Sequence, residues 1–370
     1  MIDFRYHLVS LISVFLALAV GIVLGAGPLR DTISDQLTGQ VEVLREEKDA
    51  LRLEVDENRA TMADNVAFIE SAAPALLDGA LPGYRVAVAT FPGVTDDVTS
   101  AVSQRIEEAG GEITARVELG ADWADPAAEA VRTAAADEVR PEVPGVGGAD
   151  TDDVVLGQAL GFALTDATAT DPRAASADAV AVLAALADGD DPLVRVEGEA
   201  APADLVLVLT TPQVAPEADA SVDPELETSN VTWALTLAAT GEAAPTVVAG
   251  YADLDIDTLV RVRGERTVAT LDGLGTVAGQ VTVPLVLAAV AADAEPLPYG
   301  FGIGAQDPLP PQQELTGPPA LEPQPTNQDG NQADNPVGDG SVDGAGDAGE
   351  STEAPADGST EDASPSGDGR

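Results

Sequence analysis

The chain has 370 residues, 45% of them hydrophobic and only 3% aromatic, with 64 acidic against 17 basic residues and a formal charge of −47. That length allows two or three structural units with at least one sizeable core, built mainly from Val, Leu and Ala. The charge excludes nucleic-acid partners, because such a surface repels phosphate backbones. The absence of cysteine excludes disulfides, thiol catalysis, iron–sulfur clusters and cysteine-based zinc sites.

Residues 8–25 read LVSLISVFLALAVGIVLG without a charge. At about 1.5 Å per residue such a run crosses a hydrocarbon core of roughly 30 Å. Arg5 and the amino terminus precede it and acidic residues follow, so the positive-inside bias places the N-terminus in the cytoplasm and the remainder outside. The competing reading is a cleaved signal peptide, whose apolar stretch is usually shorter, about 7–15 residues. Cleavage after Ala26 would release the chain to an outer-envelope location. Ser13, Ala17, Gly21 and Gly25 recur every fourth residue and make a stripe on which two membrane helices can approach closely. The anchor unit is set at residues 1–28.

The next unit, 29–73, is a stalk. From 33 to 69 the sequence is charged and periodic at heptad spacing. One register sets Leu37, Leu44, Leu51, Asn58 and Asn65 at a, and Val41, Lys48, Val55, Met62 and Ile69 at d. A buried Asn at a favours a two-stranded coil in fixed register at some cost in stability. A parallel homodimer is the expectation, and a solitary amphipathic helix lying on the following domain is the alternative. Lys48 and the two Asn residues weaken the seam.

Pro74 and the glycines at 79 and 83 are expected to end that helix. Residues 85–91 (RVAVATF) then read as a buried strand, a helix capped by Thr95 or Asp96 runs to 109, and 112–119 reads as a second strand. Strand–helix–strand at this spacing predicts a parallel sheet. Helices are expected at 151–164, 174–187, 224–239 and 275–292, with strands at 204–210 and 246–251. The alternation defines an α/β unit at 80–304, Rossmann-like or flavodoxin-like, with a parallel sheet. From 305 to 370 the Pro-, Gly- and Asp-rich sequence cannot bury enough surface to offset its ordering entropy and reads as disordered.

No site for chemistry assembles. Gly273-Leu-Gly-Thr-Val-Ala278 fits G-x-G-x-x-A, but it lies late in the domain and no ribose-binding acid follows, so a Gly-rich turn entering a helix is the reading. His7 is the only histidine and precedes the membrane helix, which removes a Ser-His-Asp arrangement from the domain. Gly-x-Ser-x-Gly is absent. Acid pairs such as Asp96-Asp97, Glu107-Glu108 and Asp152-Asp153 read as solvated helix starts and faces. Asp339, Asp343 and Asp347 lack the EF-hand pattern. A β-barrel pore would need many alternating strands with aromatic girdles. The chain is therefore expected not to be an enzyme and to carry no cofactor.

The stretch Arg5-Tyr-His-Leu-Val-Ser-Leu-Ile-Ser-Val-Phe-Leu-Ala-Leu-Ala-Val-Gly-Ile-Val-Leu-Gly25 resembles the amino-terminal signature of the actinobacterial MctB family of copper transport proteins. The order of parts is similar too: anchor, heptad helix, α/β domain, and a Gly-rich stretch near its end, here Tyr299-Gly-Phe-Gly302. The resemblance spans residues 1 to about 302 and is specific at the N-terminus. It implies an actinobacterial cell-envelope protein that keeps internal copper low, through an envelope transport partner or as part of an outer-envelope pore. Some relatives resemble instead cell-separation factors that act on peptidoglycan hydrolases through stalk and domain.

Copper ligands are scarce. Cu(I) prefers thiolate and thioether, and Cu(II) favours imidazole. The chain offers no Cys, two Met (Met1 and Met62) and one His. A metal site is left unassigned, and any movement of copper is expected to be indirect or through a partner. The expected partners are a second copy, the bilayer, and an envelope transport or cell-wall hydrolase component.

Overall fold

The computed structural model describes residues 4–26, 28–216 and 223–318. Two long helices come first, α1 (Phe4–Ala26) and α2 (Pro28–Leu77). Helix α2 runs past Pro74, where the sequence was expected to break it. Proline removes one hydrogen bond and costs about 3 kcal/mol in a helix interior. Here it lies in the last turn, on the exposed side, while Ala73 and Leu77 on the other side are fully buried. Their docking holds the final turn together, and Asp78 N–H closes it on the Pro74 carbonyl at 3.1 Å.

The domain contains strands β1 (Arg85–Thr90), β2 (Glu112–Leu119), β3 (Ala167–Thr168), β4 (Asp171–Ala175), β5 (Val194–Val196), β6 (Leu205–Leu209), β7 (Thr246–Ala249), β8 (Ala269–Leu271) and β9 (Pro298–Tyr299). Its helices are α3 (Asp96–Glu108), α4 (Glu129–Val139), α5 (Asp152–Thr165), α6 (Ala177–Leu186), α7 (Pro224–Ala243), α8 (Thr258–Glu265) and α9 (Val277–Ala291). Seven strands form one open sheet in the order β5-β2-β1-β6-β7-β8-β9, and β3 pairs with β4 as a separate hairpin. Every neighbouring pair in the large sheet is parallel except β2–β5 at one edge. The chain starts at β1, steps to β2, then returns to the other side of β1 for β6 and onward. This is the flavodoxin-type winding, the second of the two expected forms.

Both faces of the sheet are covered, which is why the central strands read as continuous apolar runs. Ala87, Ala89, Val206, Val208 and Val248 face the core beneath α4 to α8. Val86, Val88, Leu205, Leu207 and Val247 face the core beneath α3, α9 and the end of α2. The steps β6–α7–β7 and β8–α9–β9 advance in one direction but carry their helices on opposite faces. The two crossovers therefore differ in hand, and β8–α9–β9 departs from the nearly universal right-handed rule.

Helices α5 and α7 approach closely because α5 has no side chain at two turns of the contact. A Cβ at Gly157 would run into the Thr236 carbonyl, and one at Gly161 would sit 2.9 Å from the Thr240 carbonyl. Replacing Gly157 with alanine should cost about 1–3 kcal/mol by overpacking, read as a lower urea midpoint. An unchanged midpoint would contradict the packing.

The domain's contacts extend beyond the expected boundary at 304. Tyr299 bridges Asp307, and Leu315 packs against the core. The remainder of the acidic tail, with Asp339, Asp343 and Asp347, lies outside the described residues.

Candidate functional site

On α1, Ser13, Ala17, Gly21 and Gly25 lie along one exposed line, and a Cβ at either glycine would meet nothing within 4 Å. The Ser13 hydroxyl donates back to the Val9 and Ser10 carbonyls, each at 2.9 Å, so it is satisfied within the helix. On α2, Leu37, Val41, Leu44, Leu51, Val55, Asn58, Met62 and Asn65 are all exposed. Ile69 is half-buried against the domain's own core, and next to it Glu70 pairs with Arg105 of α3 at 2.5 Å. The helix face expected to carry the seam is thus taken by the domain from Ile69 onward.

The spacing also corrects the lettering of the seam. Leu37 to Val41 is four residues and Val41 to Leu44 is three, so the leucine series holds d and the valine series holds a. In that lettering Val41, Lys48, Val55 and Met62 fall at a and Leu37, Leu44 and Leu51 at d; in coiled coils generally, β-branched residues at a with leucine at d favour two strands. Asn58 and Asn65 fall at d.

The carboxyl edge of the sheet holds a cleft. In open α/β sheets ligands bind where the winding reverses, here between β1 and β6. A cavity of about 350 Å³ lies there, lined among others by Phe91, Thr211, Gln213, Ser229 and Trp233. Trp233 lines it and stacks on Phe91 with ring centroids 4.0 Å apart, and the second tryptophan, Trp123, is buried behind it with its ring centroid 6.1 Å from that of Trp233. Trp123 is anchored by its indole N–H on the Leu193 carbonyl. Asp257 holds the rim, accepting from the backbone N–H groups of Gln213 and Leu254, each at 2.9 Å. The charged lining residues are Asp125 and Glu225, with no Lys or Arg. This cleft has no cation to neutralise a phosphate, and the first strand–helix turn (Phe91-Pro92-Gly93-Val94) lacks a phosphate-binding glycine pattern. Sequence reasoning missed the cleft because its parts come from five separated segments.

The Gly-rich stretches serve structure. Gly273 takes φ +79° and Thr276 caps α9, accepting from Gly279 N–H at 3.1 Å. The G-x-G-x-x-A segment is therefore a turn entering a helix, after β8. Tyr299-Gly-Phe-Gly302 wraps a buried ion pair. Asp272 accepts the backbone N–H groups of Phe301 and Gly302, each at 2.9 Å. Arg263 meets Asp272 at 2.8 Å, and their side chains are only 4% and 7% exposed. Its guanidinium also donates to the carbonyls of Tyr299 (2.7 Å) and Ile303 (2.5 Å) and to the Thr270 hydroxyl (3.1 Å). Gly300 has φ +117°, and a Cβ there would run into the Asp272 carboxylate. Burial, and then the charge of Asp307, push the Tyr299 phenol above its ordinary value, so it stays neutral at physiological pH.

Among the described residues no group of three His, Cys, Asp or Glu side chains is placed to hold a metal ion. Met62 is exposed on α2 and His7 on α1. The acid pairs sit at helix ends: Asp152 accepts from Thr133 at 2.7 Å, and Asp153 faces Arg132 at 3.7 Å. Burial raises the Asp153 carboxyl above its usual range, against the pull of Arg132.

An apolar helix long enough to cross a bilayer, followed by a long exposed helix and a flavodoxin-type domain, defines a membrane-associated α/β protein. The chain belongs to the MctB family, whose model, described as "Copper transport outer membrane protein, MctB", matches residues 1–310. It is 35% identical over 149 residues to Copper transporter MctB of Mycobacterium tuberculosis (H37Rv) and of Mycobacterium bovis, covering 38% of this chain and 45% of each relative. It is 33% identical over 125 residues to the Mycobacterium leprae protein of the same name, covering 34% and 39%. The matched segments span less than half the length of these curated relatives.

Proposed function

We propose that this protein is an envelope component of copper efflux and homeostasis that acts without a copper site of its own in the domain. The family match over residues 1–310 carries this reading. The indirect role is supported by the donor set, since Met1, Met62 and His7 are the only soft or imidazole donors and none lies in the α/β domain. In this account α1 is an uncleaved anchor with its N-terminus in the cytoplasm, and two copies of α2 pair in parallel through the exposed seam. A deletion strain should lose copper tolerance and regain it with the wild-type gene. Undiminished growth across a copper series would sink the transport reading.

The exposed seam favours a second reading, a dimeric scaffold that recruits or regulates peptidoglycan hydrolases during cell separation. A fluorescent fusion separates the two. Septal enrichment supports the scaffold, and uniform envelope signal with copper sensitivity on deletion supports transport.

A further inference from the structure

We propose that the Phe301 loop is a preformed docking point for a partner protein that offers an apolar socket bordered by basic residues. Phe301 is 85% exposed, and Ile303 beside it is also exposed. Single exposed apolar residues are ordinary; the framework beneath this one is not. Across residues 298–307 the backbone is tied down almost continuously. Phe301 and Gly302 N–H groups bind Asp272, Gly300 N–H binds the Asp307 carbonyl (2.9 Å), and Ile303 N–H binds the Ala252 carbonyl (2.8 Å). Ala305 N–H closes on Gly302 and Gln306 N–H on Pro298. Arg263 holds two carbonyls from within.

A buried ion pair and two sterically obligatory glycines thus fix a loop whose apex is an aromatic ring in water. A Cβ at Gly302 would lie 2.6 Å from the Ala252 carbonyl, so the second glycine is as constrained as the first. Rigid aromatic anchors lose little entropy on binding, which is why they dominate interface energetics. The loop also lies at the carboxyl edge of the sheet, the edge where α/β domains bind their ligands.

The surrounding charge selects the occupant. Asp253 follows Ala252, Asp255 lies two residues on, and Asp307 closes the loop; all three are exposed. Of the two arginines on that flank, Arg263 is buried in its ion pair with Asp272 and Arg266, beyond Gly304, is exposed. A second copy of this chain brings the same negative surface, and an anionic bilayer is repelled likewise. A partner with basic residues around an apolar socket is attracted on both counts.

The test is photocrosslinking in intact cells, using the full chain with p-benzoylphenylalanine at Ile303 and, as control, at Val131, an exposed position on α4. The expected result is a discrete adduct with one other protein at 303, absent at 131 and lost when Phe301→Ala is added. The purified partner should then bind the full Phe301→Ala chain at least about tenfold more weakly than wild type, and bind wild type less tightly as salt rises. Phe301→Ala should leave the urea midpoint unchanged, because the ring makes no buried contact. An adduct only with a second copy, only with lipid, one that survives Phe301→Ala, or none above the Val131 control would overturn the proposal.

Discussion

Replacing Arg263 with alanine is expected to destabilise the domain by about 3–5 kcal/mol, the range for breaking a buried ion pair from one side. The substitution leaves the Asp272 carboxylate buried with two backbone N–H donors and no counter-charge. It also strips the Tyr299 and Ile303 carbonyls of their guanidinium donor. Arg263→Lys should fall between, since an ammonium preserves charge but cannot reach four acceptors in one plane. Adding Asp272→Ala to Arg263→Ala should recover part of the loss, because the uncompensated charge disappears with it. Equilibrium urea unfolding followed by tryptophan fluorescence reads this out, as Trp123 and Trp233 both lie in the domain core. A loss below about 1 kcal/mol for Arg263→Ala, the scale of an exposed pair, would mean that the pair is solvated.

The second large effect concerns assembly. A chain carrying Leu51→Cys should run mostly as a disulfide-linked dimer after mild oxidation of membranes, because Leu51 occupies d in the corrected register. The native chain has no cysteine, so a disulfide between two copies can form only through the engineered thiols. Leu53→Cys, two residues away on the opposite face, should remain monomeric. Both leucines are exposed in the single chain, which makes the contrast a test of the seam rather than of access. Equal cross-linking at both positions, or none at Leu51, would remove the two-stranded stalk.

Much of the fold was legible because the sheet is covered on both sides. Continuous apolar runs such as residues 205–209 can be strands buried on two faces, and the alternation with amphipathic segments then dictates parallel pairing. What escaped was short or compositionally mute. Strand β4 reads DPRAA, with no β-branched or aromatic residue, and β9 has two residues, one of them proline. Helix α4 is Ala- and acid-rich between two turns, and α8 is only eight residues long. Pro74 misled for a physical reason, since local propensity lost to the burial of Ala73 and Leu77.

Sites were less legible than elements. The proposed seam rests on heptad spacing alone, and the four-then-three count puts its valines at a. The cleft could not be read, because Phe91, Asp125, Gln213 and Trp233 are dispersed over 143 positions and meet only through the winding of the sheet. The glycines of Tyr299-Gly-Phe-Gly302 were visible, but their cause, the buried Asp272 carboxylate, lies nearly thirty residues upstream.

The most direct test of the central claim, an indirect copper role that does not use the chain's own imidazole or thioether donors, is total cellular copper in a deletion strain complemented by the wild-type gene or by a His7→Ala, Met62→Leu variant. The account predicts accumulation in the deletion strain and full reversal by both genes. Unchanged copper in the deletion strain, or failure of the variant alone to reverse the accumulation, would contradict it.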